Sequence, residues 1–327
     1  MAGFVDFVIA PAKAPRAIVR FAAAAVALIA FACAAAQGAR AAPLASVPFY
    51  INEEGSMSVS VFVNGNGPYE FVIDTGATMS LVFENLATIE DFTPTGGPLR
   101  RVIGILGSGL MATYKIGDLS VGGAVLNGHI GVVMPDWAPP RHTPSGVLGV
   151  DFFQKYGAVF DVDARVMTLY PAGEIPGEVI RRWRKVDLKA TQYANAAAPL
   201  FSTRGKINRS ATTFIIDLGS GTTLINYRAA ESLFSQTVAT DLNGSATTGS
   251  RLNDLFDDRE KLRTGRLDRV SVGAKTWKSV RVFIHNAPIF DEIGVQKIRY
   301  GLLGADILAK QDFAIDFGER RLYLSRS

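Results

Sequence analysis

The sequence predicts an all-β protein built from two similar lobes, and two observations carry this prediction. Short runs rich in Val, Ile, Phe and Tyr, such as MSVSVFV (57–63) and VRVFI (280–284), alternate with Gly, Asn and Pro turns, a pattern typical of a β-barrel or sandwich. The second observation is a repeat, because FVIDTGATMSLV (71–82) matches FIIDLGSGTTLI (214–225) position for position. Helical patterns are few and short, and we expect the clearest over Tyr227–Gln236.

The repeat extends along the chain in two further blocks. KIGDLSVGG (115–123) lines up with RLDRVSVGA (266–274), and both patterns predict a strand that ends in a glycine turn. The segment Gly146–Leu169 lies without gaps over Gly301–Leu324. Since the blocks keep their order and are 143 to 155 residues apart, the chain is predicted to hold a duplicated lobe, with the two copies related by an approximate twofold axis.

Length agrees with this organisation. The chain has 327 residues and 48% hydrophobic content, enough for two cored units of about 140 residues each. The Pro- and Gly-bearing stretch Pro171–Gly177 is the natural boundary. We therefore expect an N-terminal lobe over residues 42–175 and a C-terminal lobe over 176–327.

The first 41 residues have the order of a secretory signal peptide. Basic residues precede an uncharged, Ala-rich run at Phe21–Gly38, and small residues follow at 36–38 and 39–41, where cleavage is expected. An uncleaved membrane anchor is the alternative, because the run is close to a bilayer's thickness. The sole cysteine, Cys33, lies in this leader, so the mature protein would be a periplasmic chain without disulfides.

The net charge of +4 does not indicate nucleic-acid binding. Four basic residues against one acid place +3 of it within residues 1–41. The local basic cluster Arg181, Arg182, Arg184 and Lys185 has no aromatic platform or nucleic-acid motif beside it, which favours a solvated face.

Each copy of the repeat sets an aspartate, Asp74 or Asp217, directly after three apolar residues. An unpaired carboxylate buried there would cost several kcal/mol. A single Asp-x-Gly is typical of a turn at a strand end. Two aspartates placed alike by a duplication can instead face each other and share one proton, which supplies an acid and a base without a metal.

The motifs around these aspartates resemble those of the aspartic peptidases. Asp-Thr-Gly-Ala at 74–77 is followed in the same lobe by Val147-Leu148-Gly149, and Asp-Leu-Gly-Ser at 217–220 by Leu302-Leu303-Gly304. Ala77, at the fourth position of the first motif, resembles the residue found there in the retropepsin branch of the family. After the leader, the chain resembles a bacterial, exported, retropepsin-like protease with both lobes in one polypeptide.

The resemblance implies two β-barrel lobes with the catalytic pair Asp74 and Asp217 on loops at their interface. It also implies a set of residues that support these loops: Thr75, Gly76, Ala77, Gly149, Gly219, Ser220 and Gly304. Each apolar-apolar-Gly segment would pass beneath one loop. The reaction would need no cofactor or metal, the partner would be a polypeptide substrate, and the protein would be a monomer.

Two asymmetries depart from the family pattern. The family carries Thr after each Asp, and the hydroxyls bond the opposite loop, whereas this chain has Thr75 in one lobe and Leu218 in the other. Half of the reciprocal bonding is therefore predicted to be missing. The second asymmetry sets Ala77 against Ser220; a Ser220 hydroxyl bonded to Asp217 would lower the pKa of Asp217 and make it the ionised partner.

The segment Arg100–Thr113, RRVIGILGSGLMAT, is a candidate for the mobile hairpin that closes over the peptide in this family, and an ordinary surface hairpin is the alternative. The histidines His129, His142 and His285 lack metal-ligand spacing and are interpreted as loop or internally satisfied residues. Four aspartates that also repeat between the lobes are interpreted as caps or turn residues: Asp151, Asp161, Asp306 and Asp316.

Two functions are compatible with these observations. The first is an aspartic endopeptidase that cleaves exported proteins or the outer parts of membrane proteins. The second is a peptide-binding pseudoprotease that kept the duplicated groove and lost turnover through Leu218. Cleavage of denatured casein, measured together with binding of a pepstatin-type inhibitor, separates them.

Overall fold

A computed structural model describes residues 42–52, 55–105, 107–136, 144–231 and 263–326. The predicted leader and His142 lie outside these ranges. The helix predicted from Tyr227 is present over 227–231, where its described part ends. Within the described ranges, no helix combines the length and the apolar character needed to cross a bilayer.

Strands make up most of the described residues, and the remaining helices are single turns. In chain order the strands are β1 Ala45–Ile51, β2 Met57–Val63, β3 Asn66–Ile73, β4 Leu81–Phe83, β5 Thr93–Pro94, β6 Arg100–Ile103, β7 Ser108–Met111, β8 Thr113–Val121, β9 Ala124–Met134, β10 Gly146–Leu148, β11 Tyr156–Asp161, β12 Val166–Pro171, β13 Arg184–Asp187, β14 Lys189–Thr191, β15 Leu200–Ile207, β16 Ser210–Ile216, β17 Leu224–Ile225, β18 Arg263–Val272, β19 Lys275–Ile284, β20 Tyr300–Leu303, β21 Phe313–Asp316 and β22 Arg321–Leu324. The short helices are α1 Glu84–Ala87, α2 Val150–Phe153, α3 Gly177–Ile180, α4 Pro288–Glu292 and α5 Ala305–Leu308.

The first lobe is a closed six-stranded barrel in the order β2-β3-β10-β4-β9-β8, closed by pairing of β8 with β2. Its strands alternate as the sequence pattern predicts. In β2, Val59, Val61 and Val63 are fully buried, whereas the intervening Phe62 is exposed, because successive side chains of a strand point to opposite faces.

The second lobe repeats this barrel as β15-β16-β20-β17-β19-β18, closed by pairing of β18 with β15. In both barrels the strand that precedes the aspartate pairs in parallel with the strand of the apolar-apolar-Gly segment: β3 with β10 and β16 with β20. The predicted fold class, two β-barrel lobes in one chain with few short helices, is confirmed.

A further sheet, in the order β13-β22-β21-β11-β12-β1, joins the two halves. Its central pair is β11 with β21, and these strands are copies of each other in the repeat. They run antiparallel with Val159 opposite Ala314, and these two residues also occupy equal positions in the repeat. Antiparallel pairing of a strand with its own counterpart about equivalent residues is the arrangement expected where an approximate twofold axis passes between the two strands. Stacked rings of Phe160 and Phe313, with centroids 4.5 Å apart, reinforce the junction.

Candidate active site

The two aspartates lie at the carboxyl ends of equivalent strands, Asp74 after β3 and Asp217 after β16. The N–H of Asp74 donates to the carbonyl of Leu148 at 3.0 Å, and the N–H of Asp217 donates to that of Leu303 at 3.1 Å. The apolar-apolar-Gly segments therefore fix the position at which each aspartate leaves its strand.

Glycine ends each of these segments because the loop that follows the aspartate passes directly over it. We call these loops the dyad loops; they cover residues 75–80 in the first lobe and 218–223 in the second. A Cβ on Gly149 would lie 2.8 Å from the backbone carbon of Met79 and 3.0 Å from the carbonyl oxygen of Ala77. A Cβ on Gly304 would lie 2.7 Å from the carbonyl oxygen of Ser220. Any side chain there would displace the loops that carry the aspartates.

The carboxyl groups of Asp74 and Asp217 lie close enough for each to influence the pKa of the other. Each also lies against the glycine of the opposite loop. A Cβ on Gly76 would be 2.7 Å from Cγ of Asp217, and one on Gly219 would be 2.4 Å from Cγ of Asp74. The Gly after each aspartate therefore makes room for the partner's carboxyl group.

Burial raises the pKa of both carboxyl groups, and that of Asp217 is raised well above its usual value by burial and by the charge of Asp74. Backbone N–H groups act on both carboxyl groups. Asp74 Oδ1 accepts those of Gly76 and Ala77 at 2.8 and 2.9 Å. Asp217 Oδ1 accepts the N–H of Ser220 at the longer distance of 3.1 Å, and the N–H of Gly219 also acts on this group. The charge of Asp74 adds to burial at Asp217, so the pKa of Asp217 is the one raised further.

This direction is opposite to the sequence expectation that a Ser220 hydroxyl lowers the pKa of Asp217. The Ser220 hydroxyl does not bond the Asp217 carboxyl group; its Oγ donates to the carbonyl of Thr222 at 2.7 Å. Asp217 consequently lacks the donor that was expected to favour its charged form. Ala77, the residue without a hydroxyl, serves Asp74 through its backbone N–H.

Thr75 makes the cross-lobe contacts that the resemblance implies. Its Oγ1 donates to the carbonyl of Ile216 at 2.8 Å and accepts the N–H of Leu218 at 3.1 Å. Leu218 is fully buried in the main hydrophobic core. One lobe therefore reaches across by hydrogen bonds, whereas the other contributes apolar packing.

Two of the repeated aspartates do more than the cap or turn role predicted for them. Asp151 Oδ1 accepts the N–H and the hydroxyl of Ser80 at 2.9 and 2.7 Å, and Asp306 Oδ1 accepts those of Thr223 at 2.9 and 2.7 Å. They thus hold the segments that follow Asp74 and Asp217. Burial raises the pKa of Asp306 to about 6.

Ser80 and Thr223 were missed in the sequence, although a signal was present. Each is a hydroxyl residue six positions after its aspartate. Ser56 was also missed; its Oγ donates to the carbonyl of Gly219 at 3.0 Å and links the turn before β2 to the second dyad loop. No sequence pattern marks this contact.

Two further repeated aspartates have the predicted turn and cap roles. Asp161 Oδ1 accepts the N–H of Ala164 at 2.8 Å, and Asp316 Oδ1 accepts that of Glu319 at 2.9 Å. These aspartates stabilise turns of the sheet that joins the lobes.

The candidate hairpin, formed by β6 and β7, extends from the first lobe, and its tip reaches the second. Val102 packs against the first-lobe cluster that includes Val72 and Val147. At the tip, Ile105 packs against an apolar cluster of the second lobe: Leu200, Ile215, Leu224, Phe283, Ala287, Phe290, Tyr300 and Leu302. Arg101 Nη1 also lies 3.1 Å from Oε2 of Glu292 on α4. The hairpin therefore bridges the two lobes, which an ordinary surface hairpin would not do.

Comparison with known proteins agrees with this geometry. The family model described as aspartyl protease matches residues 59–152 and 203–307, and these two segments contain Asp74 and Asp217. The crystal structure of an aspartic proteinase from Irpex lacteus is similar, with a TM-score of 0.53 and 16% identity over 86% of this chain and 96% of that one. At this identity the likeness shows the fold alone. Curated protein sequences gave no significant match. With a family match over more than half of its length, the chain belongs to the aspartyl protease family.

Proposed function

We propose that this protein is an aspartic endopeptidase in which Asp74 and Asp217 activate a water molecule for attack on a peptide bond. The observation that carries the proposal is the pair of buried carboxyl groups, each lying against the glycine of the opposite loop and each acting on the pKa of the other. Two buried carboxyl groups this close cannot both ionise cheaply, so the pair holds one proton.

The two carboxyl groups would divide the chemistry. Asp74, as the charged member, takes a proton from the water while the water oxygen bonds to the peptide carbonyl carbon. Asp217 donates its proton to the carbonyl oxygen, which gives a neutral tetrahedral intermediate. Asp74 then passes its proton to the leaving nitrogen, the C–N bond breaks, and Asp217 recovers a proton from one hydroxyl of the intermediate.

The hairpin of β6 and β7 would cover the bound peptide and exclude water from it. Its apolar tip at Ile105 and the ion pair of Arg101 with Glu292 hold it against the second lobe. Peptide entry would therefore require the tip to leave the second-lobe cluster.

The experiment that tests the proposal is cleavage of denatured casein by the purified protein, with and without a pepstatin-type inhibitor. Cleavage that the inhibitor blocks and that Asp74→Asn abolishes supports the endopeptidase. Retained cleavage by a folded Asp74→Asn protein free of contaminating protease would contradict it.

The second candidate is a peptide-binding pseudoprotease, and Leu218 is the observation that favours it. This residue removes the hydroxyl that would return the cross-lobe bonds of Thr75. Inhibitor or peptide binding without cleavage would support this candidate. We favour the endopeptidase, since both carboxyl groups and their supporting loops are in place.

We further propose that the protein acts in the bacterial periplasm as a monomer, after removal of residues 1–41, on exported proteins or the periplasmic parts of membrane proteins. The signal-like order of basic, apolar and small residues in the sequence supports this location. Two lobes that each supply one aspartate support a site that is complete in one chain.

A further inference from the structure

The two dyad loops are supported by the same hydrogen bonds, with one difference between the lobes. In each lobe a buried aspartate accepts two bonds from a hydroxyl residue, and that hydroxyl accepts the N–H of the glycine beneath the loop: Gly149 to Ser80 at 2.9 Å and Gly304 to Thr223 at 3.1 Å. The difference between the lobes lies in what faces the second oxygen of the aspartate.

In the first lobe this oxygen faces a buried histidine. His129 on β9 places Nδ1 3.5 Å from Oδ2 of Asp151 and Nε2 2.9 Å from the carbonyl oxygen of Ser80. The histidine thus spans the supporting carboxylate and the backbone of the loop that this carboxylate holds. Its exposure is only 7%.

The second lobe has no such residue at the equivalent position. Parallel pairing sets Val82 opposite Val133 in the first barrel and Ile225 opposite Ile284 in the second. Counting back four residues from Val133 and from Ile284 gives His129 and the fully buried Val280. The charged group that acts on Asp306 is instead Lys310.

The backbone of β9 is shaped to admit the ring. Gly131 lies on the same face as His129, two residues further along the strand, and a Cβ there would be 2.6 Å from His129 Nε2 and 3.1 Å from the Ser80 carbonyl oxygen. Any other residue at 131 would push the ring away from Ser80.

The partners of His129 determine which protons it needs. The Ser80 carbonyl only accepts, so Nε2 must carry a proton. Asp151 Oδ1 already accepts three donors, from the Ser80 N–H, the Ser80 hydroxyl and the Phe152 N–H, as suits an ionised carboxylate. Its Oδ2 is then also an acceptor, and only a proton on Nδ1 makes that contact attractive.

No other charged side chain takes part in this arrangement among the contacts of the described residues. Ser80 and Gly131 contribute uncharged groups. On the neighbouring strand β8, Gly117 lies opposite His129. The flanking Lys115 and Asp118 are exposed, and Asp118 accepts the N–H of Gly128.

We propose that His129 is a proton-dependent positioning residue of the Asp74 loop. With both ring nitrogens protonated it ties the Asp151 carboxylate to the Ser80 carbonyl. Loss of the Nδ1 proton sets a lone pair against the carboxylate, and this loosens the first loop only. The anchor is therefore present while Nδ1 carries its proton and is lost as pH rises and that proton leaves.

The anchoring itself is tested by backbone hydrogen exchange, read by mass spectrometry and corrected for the intrinsic pH dependence of exchange. Segment 75–80 is compared with segment 218–223 in the same molecule at pH 5 and pH 8. In the wild type we expect the protection of segment 75–80 to fall roughly tenfold relative to that of segment 218–223 as pH rises. Loss of a hydrogen bond to a charged group lowers local stability by about the amount that such a change in protection reflects. His129→Gln keeps a donor for Ser80 but carries no charge, and should give the lower protection at both pH values.

The ratio between the protection of segment 75–80 and that of segment 218–223 decides the outcome. A wild-type ratio that does not change with pH, or a pH-dependent ratio that survives in His129→Gln, would overturn the proposal. Should His129→Gln fail to fold, the comparison of the two loops within the wild-type protein still decides it.

The consequence for turnover rests on the proposed function and is measured separately. His129→Gln should lower kcat at pH 5 and approach the wild type at pH 8, whereas a merely structural role would lower kcat equally at both. A protein without proteolytic activity would show the exchange effect alone, so failure of the proposed function is distinguishable from failure of the anchor.

Discussion

The hydroxyl of Thr75 accepts the N–H of Leu218 across the lobe interface at 3.1 Å, and the side chain of Leu218 can return no such bond. The same hydroxyl donates to Ile216. By the approximate twofold relation, a hydroxyl at position 218 would meet the carbonyl of Ile73 and the N–H of Thr75. Leu218 instead fills part of the core. Position 75 therefore contributes hydrogen bonds to the interface, whereas the equivalent position 218 contributes apolar packing.

Substitution of Leu218 measures how much its packing contributes to the free energy of unfolding. Leu218→Val removes one methylene from a fully buried site and should lower the free energy of unfolding by about 1 kcal/mol. Leu218→Thr has nearly the same shape as Val and adds the hydroxyl, so we expect it to be more stable than Leu218→Val by about 1 kcal/mol. Urea unfolding of both variants provides the measurement. A Thr variant less stable than the Val variant would mean that the hydroxyl finds no partner.

Removal of either carboxyl group should abolish turnover. Asp74→Asn and Asp217→Asn should each reduce kcat by roughly 10²- to 10⁴-fold, because each removes one member of an acid-base unit. The double variant should be little worse than either single one, since groups that act together are not additive. Initial rates on casein measure the loss, with the exposed Asp163→Asn as the control. Additive losses in the double variant would argue against a single unit.

The raised pKa of Asp217 predicts how stability changes with pH. A carboxyl group with a pKa above its unfolded value stabilises the fold while it is protonated, and this contribution is lost as pH rises through the folded-state pKa. Asp217→Asn cannot ionise. It should therefore match the wild type near pH 3 and exceed it in stability at pH 7, as measured by urea unfolding. A constant difference across this range would show that the Asp217 pKa is not raised.

Asp306 offers a second pH test with a defined window. Its pKa is raised to about 6 by burial, so its protonated form contributes stability that is lost between about pH 4 and pH 6. Asp306→Asn keeps an acceptor for Thr223 and should flatten the stability profile in that window. Melting temperatures at half-unit pH steps would reveal the change, and an unaltered profile would contradict it.

The hairpin tip should control substrate entry and retention. Ile105→Ala removes apolar contact with the second lobe and should raise KM more than it changes kcat, because the closed hairpin that covers a peptide is weakened. Leu110→Ala on the same hairpin is the matched control, as Leu110 is 63% exposed. Steady-state kinetics on a fluorogenic peptide separate the two parameters. Equal effects of both substitutions would remove the special role of the tip.

Export can be measured directly. Fractionation of a bacterial host with N-terminal sequencing should find the mature chain in the periplasm, starting near residue 39 or 42. A membrane-bound form that retains Phe21–Gly38 would identify the leader as an anchor.

The sequence was most informative where the repeat is free of gaps. Asp74, Asp217 and their glycines could be placed because the backbone of both loops must approach the opposite carboxyl group, which restricts the residue type. The Ser220 hydroxyl was assigned wrongly because a serine side chain can rotate between several acceptors, and composition does not say which it bonds. The contact of Ile105 with the second lobe could not be predicted, because it depends on tertiary packing and no local sequence pattern indicates it.

The pairing of β11 with its own copy, Val159 opposite Ala314, has a consequence for how the molecule can vary. In a dimer of identical chains every substitution would appear on both sides of the axis at once. Covalent union of the halves removes that constraint, so Leu can stand at 218 while Thr remains at 75, and a histidine can serve one half alone. The difference in pKa between the Asp74 and Asp217 carboxyl groups is thus open to selection in one half without disturbing the other.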